Sequence, residues 1–150
     1  MKSLIIVLFF SLLFFSCSGP FYLNTEGYKI NNYPLEIAWK MTARNISDFK
    51  YIKKDFLKIY NSPTQFKKNN GGNCSDFAIY LIYLLGPKAN FISIKNKNNT
   101  NHAIVEYNGL YIEPQWYGKY YNYNEISIIK KMDYYEIMEL STLYGTRYVY

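Results

Sequence analysis

Between residues 74 and 86 the apolar positions repeat with the spacing of an α-helix that is buried on most of its sides. Four of them recur at i, i+3, i+4 and i+7 and two more widen the same face; the six are Phe77, Ala78, Leu81, Ile82, Leu84 and Leu85. Gly86 and Pro87 end the pattern, because glycine accepts the left-handed conformation of a helix cap and proline cannot continue the helix. The sequence therefore predicts a central helix that begins directly after Asn73.

Three shorter helical segments are predicted upstream. The first begins at Pro34, which suits a first helical turn, and has its core positions at Leu35, Ala38, Trp39 and Thr42. A second helix is expected after Ser47, a typical N-cap residue, with apolar positions at Phe49, Ile52, Phe56 and Ile59. We expect Pro63 to Phe66 to add one further turn.

After Gly86 the period changes to that of β-strands. Alternation over residues 91–95 predicts a strand, and Asn108-Gly109 between two apolar runs predicts a hairpin, because both central positions of a type I′ turn need positive φ. With a two-residue turn, Val105 faces Ile112 and His102 faces Gln115. Four side chains then share one face: His102, Ile104, Glu113 and Gln115. Ile126 with Ile128, and the stretch 144–150, are expected to form further strands.

Cys74 is the candidate nucleophile. It is predicted at the first position of the central helix, where unpaired backbone N–H groups and the helix dipole favour a thiolate. The glycines at 71 and 72 form a loop that would expose the thiol. The competing interpretation is a small buried hydrophobic residue, and the glycine loop favours the nucleophile.

His102 is the only histidine of the chain, and the hairpin register places Glu113 within reach of it. A carboxylate can hold an imidazole in one orientation and stabilise its protonated form. The competing interpretations are a surface histidine and a solvated acid, which the shared face makes less favourable. Gln115 is a rival orienter of the imidazole, and we assign Glu106, nearer the turn, a structural role.

The N-terminus has the pattern of an export signal. Lys2 precedes an apolar run from Leu4 to Phe15, which is short for a transmembrane helix but suits a signal peptide. Ser16-Cys17 after this run resembles a bacterial lipobox, which implies cleavage before Cys17 and attachment of lipid to its thiol; an ordinary secretory signal is the alternative. We therefore expect a signal peptide over 1–16, a tether over 17–32 and one domain over 33–150.

Composition and charge indicate which partners and cofactors are not expected. The net charge is +6, but the lysines are scattered and no nucleic-acid-binding motif is present, so nucleic acid is not an expected partner. A lone histidine and a free cysteine do not make a metal site, and no cofactor motif is found. We expect neither metal nor cofactor, and the sequence gives no oligomeric state.

Three motifs resemble those of the bacterial transglutaminase-like cysteine peptidase superfamily, over about Ile46 to Pro114. Residues 72–78, Gly-Asn-Cys-Ser-Asp-Phe-Ala, are similar to its G-D-C-x-D-x-A signature. Residues 102–106 resemble its H-A-w-v-E strand, and residues 112–114 its l-D-P segment. Residues 49–55 and 60–63 resemble the Y-x-x-D and W-x-s-P blocks that precede the Cys loop. Asn73 and Glu113 each replace an aspartate.

The resemblance implies a papain-like α+β fold, in which a nucleophile helix packs on a small antiparallel sheet. It also implies acyl transfer, and together with the lipobox it predicts a lipoprotein member of this superfamily. It implies that Cys74 attacks a peptide or carboxamide carbonyl, that His102 moves the proton and that Glu113 orients the imidazole. Hydrolysis is the default outcome. The backbone N–H of Cys74 would hold the oxyanion, and Asp76 would brace the loop. Side-chain candidates for the oxyanion donor are Trp39, Tyr60, Gln65 and Asn73.

Two other functions stay open. One is a non-catalytic binding module with the same fold, which predicts an ordinary thiol pKa and no Cys74–His102 hydrogen bond. The other is an NlpC-type peptidoglycan endopeptidase, suggested by Asn73-Cys74-Ser75 at a helix start but disfavoured because a second histidine is absent. For an exported, lipid-anchored enzyme the expected substrates are proteins or peptides of the cell envelope, including peptidoglycan peptides.

Overall fold

The computed structural model describes residues 30–53 and 60–145, in which helices surround one main sheet. The helices are α1 (Leu35–Thr42), α2 (Pro63–Lys68), α3 (Cys74–Leu85) and α4 (Tyr134–Gly145). The strands are β1 (Lys50–Tyr51), β2 (Gly71–Gly72), β3 (Ala89–Lys95), β4 (Asn101–Tyr107), β5 (Leu110–Ile112), β6 (Tyr120–Tyr121) and β7 (Ser127–Met132). A 3₁₀ turn, Tyr123–Glu125, precedes β7.

The helix α3 lies at the centre of the fold, as its apolar pattern predicts. It contacts α1, α2 and α4 on the helical side and β3 and β4 on the other, and nine of its twelve residues are buried. The Asn73 side chain caps it by accepting the backbone N–H groups of Ser75 and Asp76 at 3.0 and 3.1 Å. Gly86 ends it at a φ of 79°. The two caps fix the helix start at Cys74.

The main sheet is antiparallel and has the strand order β6-β5-β4-β3-β7. The predicted hairpin is confirmed: Asn108 and Gly109 have φ angles of 51° and 79°, as a type I′ turn needs. Val105 pairs with Ile112, also as predicted. Helices packed on a small antiparallel sheet confirm the α+β class.

Apolar residues are buried on both faces of this sheet. The face toward α3 contributes Phe91, Val105 and Ile112 to the main core. The second face forms a smaller cluster around Ile92, Ile94 and Ile104, and three partly buried side chains cover that cluster: Tyr111, Tyr121 and Ile126. Tyrosines of β5 and β6 therefore lie beside the strand that carries His102.

The helix predicted after Ser47 is wrong over the part that the structure describes. Lys50–Tyr51 is the short strand β1, which pairs in parallel with Gly71–Gly72. Gly71 has a φ of 134°, and a Cβ there would overlap the Lys50 backbone, so glycine permits the approach of the two strands. This pairing fixes the position of the backbone just before Cys74. Residues 54–59, which include Phe56 and Ile59, lie outside the described residues.

The C-terminal segment is helical where a strand was expected. The predicted strand at Ile128 is confirmed as part of β7. The predicted strand over 144–150 is wrong for its first two residues, because α4 continues to Gly145; the rest lies outside the described residues. Asp133 begins α4 by accepting the backbone N–H of Glu136 at 2.9 Å.

The signal peptide expected over 1–16 and the tether expected over 17–32 lie outside the described residues up to position 29, and both stay predictions. Within 30–53 and 60–145, none of the helices has the length and apolar character needed to cross a membrane.

Candidate active site

The thiol of Cys74 and the imidazole of His102 lie close enough for each to shift the pKa of the other. Cys74 is the first residue of α3, and His102 lies near the start of β4; both are half-buried. The imidazole Nε2 lies 2.7 Å from Glu113 Oε2. The structure therefore brings together Cys74, His102 and Glu113.

Glu113 is held from four directions. Its side chain is buried, and Oε2 accepts the phenol of Tyr121 at 2.6 Å in addition to the imidazole. Its main chain is anchored as well: the carbonyl accepts the indole N–H of Trp39 at 2.8 Å, and its N–H donates to the Lys119 carbonyl at 3.0 Å. These contacts hold the carboxylate next to the imidazole.

Gln115 has a different place from the one that the extended hairpin predicts. The strand β5 ends at Ile112, so the facing pair of His102 and Gln115 does not form. Gln115 instead donates its backbone N–H to Glu113 Oε1 at 3.1 Å. Of the two candidate orienters, Glu113 contacts the imidazole. Glu106 lies near the hairpin turn and pairs with Lys131 at 3.0 Å and Asn90 at 2.6 Å.

Electrostatics favour a charged pair at the thiol and imidazole. Burial raises the pKa of Cys74, but hydrogen bonds from His102, the Ala103 backbone and Ser75 lower it, and the pKa is lowered overall. Burial lowers the pKa of His102, but its bonds to Cys74 and Glu113 raise it to about 9. Near neutral pH these shifts favour a thiolate beside an imidazolium.

Glu113 completes the charge pattern. Burial raises the pKa of this carboxyl group, while the bonds to His102 and Tyr121 lower it, so the pKa is lowered overall. The pKa of Tyr121 is raised strongly, first by its own burial and then by its bond to Glu113. An ionised Glu113 therefore accepts from a neutral phenol and a protonated imidazole.

Asp76 connects the helix start to the segment before α2. Its carboxylate accepts the Asn61 backbone N–H at 2.8 Å, the Asn61 amide at 3.2 Å and the Asn73 backbone N–H at 3.0 Å. With Asn73 it forms a capping box. A Cβ at Gly72 would overlap the Asp76 carboxylate, so a glycine is needed there.

The oxyanion candidates differ in what their donors contact. The indole N–H of Trp39 is not free, because it is bonded to the Glu113 carbonyl in the core; that expectation is corrected. Gln65 donates its amide to Asn69 at 2.8 Å along α2, and Tyr60 packs against Phe91. Asn73 accepts two backbone N–H groups through Oδ1, so its amide nitrogen lies outside those cap bonds.

Sequence reasoning missed two residues of this site. Tyr121 bonds the acid from β6, a two-residue strand, and the 18 tyrosines of the chain gave no reason to single it out. Asn61 bonds Asp76 across 15 positions; its place in the Tyr60-to-Pro63 block was the available signal. Within the ranges 30–53 and 60–145, no group of three His, Cys, Asp or Glu side chains could hold a metal ion.

The arrangement of a helix that begins at Cys74 and packs on a small antiparallel sheet is also found in solved structures of another protein. The chain is similar to LapG from Legionella pneumophila, with TM-scores of 0.54 to one solved structure, 0.52 to a calcium-bound one and 0.51 to an EGTA-treated one. Sequence identity is 16%, and the match covers 68% of this chain and 67%, 67% and 65% of those chains.

LapG is a bacterial transglutaminase-like cysteine peptidase, so the fold expected from the three sequence motifs is confirmed. No protein-family model matches this chain, and no curated protein does.

Proposed function

We propose that the chain is a cysteine acyl-transfer enzyme of the transglutaminase-like class that hydrolyses peptide or carboxamide bonds. The observation that carries the proposal is the hydrogen bond between the His102 imidazole and the buried Glu113 carboxylate, beside a Cys74 thiol whose pKa the imidazole lowers. The similarity to LapG supports the general class.

In the proposed reaction the Cys74 thiolate attacks the carbonyl carbon and forms a C–S bond, while the carbonyl π electrons move to oxygen. When the tetrahedral intermediate collapses, protonated His102 gives its proton to the leaving amine and the C–N bond breaks. Water then attacks the thioester, and His102 takes up the proton of that water. The acid leaves, the thiolate is restored, and Glu113 orients the imidazole throughout.

The oxyanion would be held at the start of α3. The backbone N–H of Cys74 is one of the first four of the helix, which lack an intrahelical acceptor, and it carries the positive end of the dipole. Asn73 is the side-chain donor that we favour, because its amide nitrogen lies beside the same turn and outside its cap bonds. Preorganised donors of this kind contribute much of the rate in acyl transfer.

Two observations favour an enzyme over the two alternatives. A non-catalytic binding module has no need of a thiol whose pKa is lowered by a nearby imidazole. An NlpC-type endopeptidase is disfavoured because the sequence has one histidine, and here a carboxylate contacts the imidazole.

The proposed setting is the cell envelope. It follows from the lipobox-like Ser16-Cys17 after the apolar run, which suggests export and a lipid anchor at Cys17. The proposed substrates are then envelope proteins or peptides, including the peptides of peptidoglycan.

One of the LapG structures is calcium-bound, but the residues around Cys74 do not supply the ligands that calcium requires. Calcium takes six to eight oxygen ligands. The carboxylates of Asp76 and Glu113 already accept several N–H or O–H donors each, and no acidic group of three was found in the described ranges. These residues do not fit a calcium site, and no step of the proposed reaction passes through one.

The proposal is tested with p-nitrophenyl butyrate, a small ester that needs no particular peptide site. We expect a burst of p-nitrophenolate equal to one butyryl group per chain, located on Cys74 by peptide mass spectrometry because Cys17 is a second thiol. Cys74→Ala should abolish the burst, and His102→Ala should slow it about a hundredfold. If Cys74 is butyrylated equally fast in wild type and His102→Ala, the proposal fails.

Cleavage itself is tested with a proteome-derived peptide library. Wild type should generate new N-termini that Cys74→Ala does not. Burst acylation without any new N-terminus would restrict the activity to small acyl groups and contradict the peptidase assignment.

A further inference from the structure

Beside the candidate active site, Arg44 lies against two aromatic rings. Its guanidinium carbon is 5.8 Å from the ring centre of Tyr51 and 5.7 Å from that of Trp116, both within the range of a cation–π contact. Arg44 itself is exposed, and the rings are 44% and 48% exposed. These three residues are called the Arg44 cluster below.

Backbone bonds fix this cluster to both ends of the active site. On one side Tyr51 pairs with Gly72, two positions before the nucleophile, and Ile52 N–H donates to the Gly72 carbonyl at 2.9 Å. On the other side Arg44 N–H donates to the Gln115 carbonyl at 3.1 Å, and Gln115 N–H donates to the Glu113 carboxylate.

Tyr51 of the Arg44 cluster also interacts electrostatically with the Cys74 thiol. The pKa of Tyr51 is raised, first by burial and then by the charge of Cys74, while Arg44 lowers it. The charge of a Cys74 thiolate therefore disfavours ionisation of the Tyr51 phenol, which stays neutral beside it. Together with the backbone bonds, this places the cluster at the side of the reacting sulfur.

Within the part of the chain that the structure describes, Arg44 contacts two aromatic rings but forms no ion pair. No carboxylate there forms an ion pair with it, whereas four exposed lysines each have one: Lys40 with Glu36, Lys97 with Glu125, Lys130 with Glu136 and Lys131 with Glu106. The groups that lower the pKa of Cys74 are His102, Ala103 and Ser75. An exposed guanidinium that has no carboxylate partner among the described residues can pair with a carboxylate that a ligand brings.

We propose that the Arg44 cluster is a substrate subsite that binds a carboxylate of the peptide close to the bond that is cleaved. A guanidinium presents planar N–H donors that match a carboxylate in pairs, and rings beside it limit its motion. The carboxylate is either an acidic side chain or the C-terminus of the peptide. This inference rests on the proposed function and adds the substrate class.

The first test compares two esters that differ in one carboxylate, mono-p-nitrophenyl glutarate and p-nitrophenyl butyrate. The rate of Cys74 acylation is measured for each, and the ratio of glutarate to butyrate is the readout. We expect Arg44→Gln to lower this ratio about two- to fivefold, the effect of losing an exposed charge contact, and Arg44→Lys to lower it less. Added salt should lower the wild-type ratio by screening.

The matched control is Lys88→Gln, which removes an exposed cation just past the end of α3, roughly 18 Å along the helix from Cys74. It should keep the wild-type ratio. If Arg44→Gln also keeps that ratio while both esters acylate Cys74, the subsite is refuted and the proposed function stands. If neither ester acylates Cys74 faster than it does in His102→Ala, it is the proposed function that fails.

A second test separates the two sources of the carboxylate, with the peptide library prepared with free or amidated C-termini. Acidic residues enriched at one position near the cut, regardless of amidation, identify an acidic side chain. Cuts at a fixed short distance from the end, lost on amidation, identify the C-terminus. In either case Arg44→Gln should relax the preference, and a wild-type cleavage pattern without acidic or terminal preference refutes the subsite.

Discussion

The longer side chain of Glu113 is held against the imidazole by hydrogen bonds, which offset the greater rotamer freedom that it has compared with an aspartate. A glutamate side chain loses more rotamer freedom than an aspartate when it is fixed. Here three donors hold its two oxygens: the Tyr121 phenol, the His102 imidazole and the Gln115 N–H. The departure from the aspartate of the resembling motif is therefore compensated by contacts that the motif does not contain.

Tyr121 is a positioning residue in this account, because it acts through Glu113. We expect Tyr121→Phe to slow butyrylation of Cys74 about two- to tenfold, the effect of one lost hydrogen bond to a buried acceptor. The variant keeps the ring that covers the second apolar cluster, so it should fold normally. Stopped-flow release of p-nitrophenolate measures the rate.

Tyr111→Phe is the control for Tyr121→Phe, because Tyr111 pairs with Tyr121 across the same strands and no bond joins its phenol to Glu113. It should keep the wild-type rate. Equal rates in all three proteins would show that the phenol of Tyr121 has no part in placing the acid.

The single histidine of the sequence makes its titration directly observable by proton NMR of the untagged chain. We expect a pKa of about 9 for His102. The folded state binds this proton more tightly than an ordinary imidazole, so the imidazolium is present below that pH and is lost as pH rises through about 9. Cys74→Ala and Glu113→Gln each remove a raising contact and should move the pKa toward 6.5.

The Cys74 thiolate and the His102 imidazolium together predict a bell-shaped dependence of peptide hydrolysis on pH. The acid limb follows the lowered pKa of Cys74 and the alkaline limb lies near 9. Glu113→Gln should shift the alkaline limb to lower pH, whereas Tyr121→Phe should not lower it. An unshifted His102 in wild type, near 6.5, would contradict the charged pair.

The sequence predicted those side chains whose position depends on local structure. Cys74 follows from a helix cap, and the pairing of His102 with Glu113 follows from a two-residue turn that fixes the register. Trp39 was misassigned because a buried indole takes the acceptor that the fold offers it, here the Glu113 carbonyl. That acceptor lies 74 positions away, and no local pattern encodes it.

The same distinction holds for helices and strands. The helix α3 carries its own apolar face and caps, so it could be predicted to within a residue. Residues 50–51 have helical spacing around them, but they form β1 because Gly71 and Gly72 accept their backbone. The helix α4 was not predicted, although Asp133 with Glu136 three positions later is a local start signal, and its tyrosines also suit a strand.

The start of α3 depends on Asp76, and we expect Asp76→Asn to destabilise the fold. The buried carboxylate accepts three N–H groups, and an amide would turn an N–H toward one of these donors. The expected loss is about 2–4 kcal/mol in the free energy of unfolding, measured by urea denaturation. Asp48→Asn, at an exposed aspartate, should change it by less than about 0.5 kcal/mol.

If Asp76→Asn unfolds at the same urea concentration as wild type, the bonds at the helix start do not carry stability. Alkylation of Cys74 by iodoacetamide in the folded variant then separates stability from reactivity. A slower reaction at unchanged stability would show that Asp76 positions the thiol without stabilising the fold.

The full chain joins this domain to a segment whose sequence suggests an anchor, and that suggestion can be tested by phase separation. A diacylated cysteine binds lipid at about 0.8 kcal/mol per buried CH₂, far more than the weak attraction of a +6 surface to anionic lipid. Expressed in a bacterium that processes lipoproteins, the wild-type chain should enter the detergent phase of Triton X-114. Cys17→Ser should enter the aqueous phase, because no thiol is left there to receive lipid. Cys74→Ser, which removes the other thiol, should stay in the detergent phase, and equal partition of both variants would show that Cys17 anchors nothing.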